Sequence, residues 1–319
     1  MINRRNCLLG LGAVALGAHA QGYPTRPVRM LVGFAAGGIT DITARQLADV
    51  MAPALGQPLV VENKAGAGGN IATAELARAT PDGYTLMLAS PGQLVVNPLT
   101  QKSTGFDPKT QFTLIGLANT SPFVLVVPAN SQFRTAQELI GYGKANPGKL
   151  SFASPGIGTT MHIGGEMLNA VAGVQAVHVP YRGGAQSTGD LIAGRVDFMF
   201  DSLGAVNTQI QAGQLRVLAV TTPKRMARFP DLPAMNEIYP EFELSSWLGL
   251  VAPPKVPNEI VAVLSRAMDE AVTNPRFVET VEKRGTTVAE RGPAFFAQHL
   301  ERERQRVERT VVKTGLRLD

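Results

Sequence analysis

Short apolar runs alternate with amphipathic stretches along almost the whole chain. Val28-Arg29-Met30-Leu31-Val32 reads as a strand, and residues 33–41 form a loop of small residues. Ile42, Leu47, Val50 and Met51 then recur at helical spacing, in a helix beginning near Thr40. The scheme repeats with a strand over 59–62, a loop over 64–70, a helix over 71–79, a turn at Asp82-Gly83 and a strand over 85–89. Further strands are read over 123–128, 150–153, 176–179, 196–200 and 215–220. Helices are read over 135–145, from 160 to about 171, and around 190–192. Strands alternating with helices imply a parallel sheet with helices on its faces.

Two apolar strands, 123–128 and 247–253, each end at a proline. They read as the two places where the chain crosses between domains. This predicts a discontinuous first domain, 22–122 plus 248–319, with a second domain, 123–247, inserted. Pro257 and Pro293 open the last long helices, and the mixed charges of ERERQRVER read as a solvated helix face.

The first twenty residues follow another pattern. Arg4 and Arg5 precede a short apolar run over 7–18, and Ala18-His19-Ala20 fits a small-residue cleavage site. That order predicts a secretory signal peptide over 1–20, a mature chain starting near Gln21, and a periplasmic location. The run is too short to span a bilayer, and no membrane insertion of the mature protein is expected. Cys7 is the single cysteine of the chain. Its loss with the leader would exclude thiol nucleophiles and cysteine metal sites. A length of 319 residues with 45% hydrophobic and 17% charged residues suits two globular domains. The 30 Lys and Arg and the 25 Asp and Glu are interspersed, so nucleic acid is not an expected partner.

Most catalytic signatures are missing. His162, His178 and His299 have no zinc-site spacing, and neither a G-x-S-x-G elbow nor a phosphate-binding G-x-x-x-x-G-K-[ST] appears. Gly156-Ile157-Gly158 opens a helix as a dinucleotide loop would, but Met161 stands where the third glycine belongs. No cofactor, metal or catalytic residue is expected. Small-residue loops leading into helices do recur, at 33–41, 64–70, 90–93, 154–160 and 180–186. Such loops offer backbone N–H groups and a helix dipole to an anion, and a carboxylate is satisfied by them without arginine. The same glycines would also serve the tight turns of an α/β sheet.

The ordered set of segments carries a resemblance. It includes Tyr23-Pro24, Ala36-Gly37-Gly38 to Asp41, Val60-Val61-Glu62-Asn63, Gly66-Ala67-Gly68-Gly69-Asn70 and Pro81-Asp82-Gly83-Tyr84. It continues through Ala145-Asn146-Pro147-Gly148, Gly158-Thr159, His178-Val179-Pro180-Tyr181 and Trp247-Leu248-Gly249-Leu250. The chain thus resembles the Bug/TctC family, the periplasmic solute-binding components of tripartite tricarboxylate transporters. The resemblance implies an α/β fold like that of type II periplasmic binding proteins, with two domains, a ligand cleft between them and two crossing strands. It also implies capture of a small carboxylate, delivery to inner-membrane transporter subunits and no enzyme activity. The chain is expected to act as a monomer.

By that resemblance one half of the cradle is Phe34, Ala35, Ala36, Gly37 and Gly38. The other is Ser154, Gly156, Gly158, Thr159 and Thr160, and Ser90 belongs to a third loop. Ala36 stands where the family usually has proline, and Pro155 removes one N–H donor. Four further residues carry two readings each. Asp41 caps its helix or touches the ligand. His162 faces the cleft or packs. Tyr181 closes over the ligand or packs at the hinge. Asp201 receives an amino group or caps a turn. An exported α/β enzyme and a sensor's ligand-binding domain are the alternative functions.

Overall fold

The computed structural model describes residues 22–315 apart from Pro223, Glu243 and Ala289. The expected leader, with Cys7 and the start at Gln21, lies outside the described residues.

The first elements are β1 (Val28–Val32), α1 (Ile39–Leu55), β2 (Leu59–Asn63), α2 (Asn70–Ala77), β3 (Thr85–Ala89) and α3 (Asn97–Thr100). A long strand, β4 (Thr113–Pro128), leads to α4 (Ala136–Ala145), β5 (Ser151–Ser154), α5 (Thr160–Ala172), β6 (Val177–Pro180) and α6 (Gly184–Ile192). Then come β7 (Phe198–Ser202), α7 (Leu203–Gln211), β8 (Leu215–Val220) and α8 (Met235–Ile238). The chain closes with β9 (Ser245–Ala252), α9 (Asn258–Thr273), α10 (Pro275–Lys283), β10 (Thr287–Val288) and α11 (Pro293–Thr314).

The strand order is β2-β1-β3-β9-β4-β7-β5-β6, with β8 and β10 also paired to β4. Within β2-β1-β3 and within β7-β5-β6 the pairing is parallel, as the alternating pattern predicts. At the centre it is not. β9 runs antiparallel to β3 and β4, and β4 runs antiparallel to β7 and β8. The parallel pairing expected from the alternating pattern is found within each lobe, and the two crossing strands add antiparallel pairing between them.

The strand read over 123–128 is the second half of β4, a single strand of 16 residues that serves both lobes. Its first half carries Gly116, Asn119, Ser121 and Pro122, which interrupt the apolar pattern. It pairs with β9 through register shifts between Leu114 and Gly116 and between Leu117 and Asn119. Bulges of this kind let an irregular sequence stay in a ladder.

Alternation along the strands sorts side chains onto two faces. Val28, Met30 and Val32 of β1 pack with Leu47 and Met51 of α1 and Leu264 and Met268 of α9. Leu31 points the other way, into a cluster with Trp247 and with Phe296 of α11. In the second lobe Phe123, Leu125 and Val127 pack with Phe152, Phe198 and Phe200, while Val124 and Val126 meet Leu203 and Val206 of α7. Burial on both faces is why most of these strands read as near-continuous apolar runs, interrupted in β1 by the partly exposed Arg29.

Leu244 packs in the second lobe and Trp247 in the first. Thr221 ties the two crossings together, its hydroxyl lying 3.0 Å from the Phe123 carbonyl and within hydrogen-bond reach of the Leu244 carbonyl. No helix among the described residues is long and apolar enough to cross a membrane.

Candidate functional site

In each lobe the parallel strands end on one edge, so the loops that follow them gather there. Ligands of open α/β sheets bind outside such carboxyl ends. In the first loop, Ala35 to Gly38 are exposed while Phe34 packs on the core. Gly37 has φ +82°, a left-handed conformation that strains any residue with a Cβ.

Asp41, in the first turn of α1, is 2% exposed. It accepts from the Gly37 N–H at 2.9 Å, from Arg45 at 2.9 and 3.1 Å, and from the Asn63 amide at 3.0 Å. The same Asn63 nitrogen donates to the Phe34 carbonyl at 3.0 Å. Asp41 thus ties the loop to its own helix and to the end of β2. Burial alone would raise its carboxyl, but the bonds from Arg45, Gly37 and Asn63 together hold it below the usual range.

The loop after β5 is built just as tightly. Thr159 caps α5, its hydroxyl donating to the Gly156 carbonyl at 2.7 Å and accepting from the His162 N–H at 3.4 Å. The fully buried Ser154 hydroxyl meets His178 Nε2 at 2.7 Å and accepts from the Gly156 N–H at 3.2 Å. Gly156 and Gly158 have φ +152° and +80°. Thr160 follows as the first residue of α5 and is buried.

His162 is 5% exposed and turned beneath this loop. Its Nδ1 accepts from the Gly158 N–H at 3.2 Å, so its proton sits on Nε2, 3.7 Å from Glu166. The His162 and His178 rings stack with centroids 3.8 Å apart, and Phe152 stacks on His178 at 4.9 Å.

The Tyr181 side chain is braced against α6. Its hydroxyl donates to Asp190 at 2.9 Å, and Asp190 pairs with Arg195. Its carbonyl lies 3.5 Å from where a Cβ on Gly156 would stand, so Tyr181 backs the loop through its main chain. Asp201, near the end of β7, is 1% exposed and accepts from the Ser202 N–H at 2.7 Å. Burial pushes its carboxyl up to about 7.

The two lobes meet at the turn after β3. A Cβ on Gly92 would lie 3.4 Å from the Gly158 carbonyl oxygen. Ser90 opens this turn and bonds to Gln93 through both its N–H and its hydroxyl, at 2.8 and 2.9 Å. Sequence reasoning missed Gln93, Asn63 and His178. The available signal for Gln93 was a lone polar side chain entering the apolar run Leu94-Val95-Val96 straight after a strand. A groove of about 710 Å³ lined by Arg29, Ile71, Glu75 and Arg78 runs along α2, apart from these loops. Its Arg29 already pairs with Glu62 and Glu75. Among the described residues no group of His, Cys, Asp or Glu is placed to hold a metal ion.

Comparison with known proteins gives a consistent picture. The family profile described as tripartite tricarboxylate transporter family receptor matches residues 43–316. A UPF0065 protein from the tcbD-tcbE intergenic region of Pseudomonas sp. (strain P51) is 37% identical, over 99% of this chain and 96% of the relative. The solved structure of periplasmic binding protein BugD is 38% identical, with a TM-score of 0.84 over 92% of this chain and 99% of that one. That of R. palustris Rpa4515 with adipate is 32% identical, with a TM-score of 0.86 over 92% and 99%.

Proposed function

We propose, on the premise that the chain belongs to the tripartite tricarboxylate transporter receptor family, that it captures a small aliphatic carboxylate between its lobes and hands it to the membrane subunits of such a transporter. Like its family and its structural neighbours, it is a solute-binding protein and not an enzyme. We place its work in the periplasm, with residues 1–20 removed on export. We take 22–122 with 248–319 as one domain and 123–247 as the other.

The observation that carries this reading is the meeting of Gly92 and Gly158 across the lobes. It brings the turn after β3 in the first lobe up to the loop that starts α5 in the second. Helix starts and glycine backbone favour an anion there. Arg45, the cation beside the first loop, is already held by Asp41, which leaves backbone donors as the natural partners of a carboxylate. Of the relatives, Rpa4515 is described with adipate, an acid of this class.

The test is titration calorimetry of the mature protein with succinate, malate, adipate and citrate, alongside small-angle scattering. Saturable binding of at least one acid, with a smaller radius of gyration in its presence, is the expected result. Binding of none of the four would overturn the carboxylate reading. An unchanged radius would reject lobe closure and leave a preformed pocket. Intact mass of the periplasmic protein should correspond to a start near Gln21.

A further inference from the structure

We propose that Gln93 is a ligand-binding residue of this cleft, its side-chain Nε2 donating to a carboxylate oxygen of the bound acid. The inference rests on the carboxylate reading above and assigns one specific donor within it.

Gln93 lies in the π-helical turn 92–96 that follows β3, and its side chain is fully buried. The direction of its amide is determined by its neighbours. Oε1 accepts from the Ser90 N–H at 2.8 Å and from the Ser90 hydroxyl at 2.9 Å. A backbone N–H cannot accept, so the oxygen must face Ser90 and the nitrogen must face the other way. Nε2, with two protons to give, has no hydrogen-bond partner among the described residues. A buried donor without an acceptor is an uncommon and destabilising arrangement, and it calls for an explanation.

What Nε2 faces is glycine. A Cβ on Gly33 would collide with it, and one on Gly69 would stand 2.5 Å from it. Gly33 follows β1, Gly69 follows β2 through the loop at 64–70, and Gln93 follows β3. The loops of all three parallel strands in the first lobe therefore converge on one amide nitrogen. The residue beside it, Gly92, is where the second lobe's 154–160 loop makes its approach. The donor thus sits at the junction of four loops, at the carboxyl ends of the strands. Its cover at 33 and 69 is bare backbone, and Gly69 has φ +93°. For the acid to reach the donor, one of these two loops must move aside.

The chemistry selects the acceptor. An amide N–H₂ donates and cannot receive, so it matches a carboxylate oxygen and not an ammonium group. It also adds no charge, in keeping with a cradle made of backbone donors. A neutral donor to an anion in a water-poor site makes a strong bond, with an expected contribution of about 10- to 100-fold in affinity.

The experiment uses the same four acids with wild type, Gln93→Met and Gln93→Glu, following affinity by calorimetry and folding by urea denaturation. Gln93→Met keeps the bulk and removes the donor. It should weaken the tightest acid about 10- to 100-fold. Gln93→Glu places an acceptor against the ligand at pH 7.5 and should weaken it at least as much. Its affinity, relative to wild type, should recover as the pH falls and the introduced carboxyl regains a proton to donate. A residue that only fills space would not produce that recovery. If both variants fold and bind within about threefold of wild type while wild type binds well, Gln93 is not a ligand donor and the carboxylate reading stands. If wild type binds none of the four acids, both fall. The wild-type protein supplies a readout independent of any variant's folding. On saturation with the tightest acid, the Gln93 side-chain amide proton resonances should shift and exchange more slowly with solvent. An unmoved pair of resonances would overturn the proposal.

Discussion

The rings of His162 and His178 stack 3.8 Å apart under the 154–160 loop, and each holds a different point of it: His162 the Gly158 N–H, His178 the Ser154 hydroxyl. Burial first, and the neighbouring His162 second, push His178 down to about 4. The unfolded chain has an ordinary imidazole near 6.5 and so binds the extra proton first. This contribution to stability is present above about pH 6.5 and is lost as the pH falls towards 4. The loss is on the order of 2 kcal/mol once partial exposure is allowed for. Urea unfolding at intervals between pH 7 and 4 should show His178→Gln with a flatter decline than wild type. Parallel curves would remove His178 from the acid response.

Asp201 should behave in the opposite sense. Its folded carboxyl is raised to about 7 by burial, so the folded state holds the proton that the unfolded chain releases near 4. Stability from this group is complete at low pH and is lost as the pH rises through 7. Asp201→Asn keeps an oxygen for the Ser202 N–H and never ionises. Relative to wild type it should be more stabilising at pH 8 than at pH 5.5, by on the order of 1–3 kcal/mol. Equal differences at the two pH values in chemical denaturation would show that the carboxyl is not held neutral.

Thr159→Ala should act first on the fold. The hydroxyl accepts from the His162 N–H and donates to the Gly156 carbonyl, as a helix cap does. Its removal should cost about 1 kcal/mol of stability, seen as a lower urea midpoint at unchanged slope. Thr159→Ser, which retains the oxygen, should restore most of the loss. A midpoint unchanged in Thr159→Ala would mean that the cap contributes nothing.

Asp41→Ala should loosen the first loop. It strips the acceptor from the Gly37 N–H and from the Asn63 and Arg45 side chains. The exposed Arg45 and the Gly37 N–H recover their losses in water, whereas the half-buried Asn63 donor does not. A destabilisation of about 1–3 kcal/mol is expected, with faster hydrogen exchange at Gly37. Exchange at Gly37 equal to wild type would show that the loop holds its shape without Asp41.

Much of this architecture is local and therefore legible in the chain. The apolar run of β1 and the helical spacing after it locate a strand and a helix, because each element's period of burial is written in its own residues. The small-residue loops at 33–41 and 154–160 announce helix starts for the same reason, and their order carries the family resemblance. What the tertiary structure decided depends on partners far apart in sequence. β4 is one strand across both lobes because β9, β7 and β8 supply its ladder, and no local pattern in 113–122 predicts that pairing. His162 turned under its loop because the ring of His178, from the next strand, was there to stack on it. Gln93 acquired its direction from Ser90 and its surroundings from Gly33 and Gly69, two loops of other strands. A side chain's orientation is set by the donors, acceptors and voids around it, and in this chain those arise only once the strands are laid side by side.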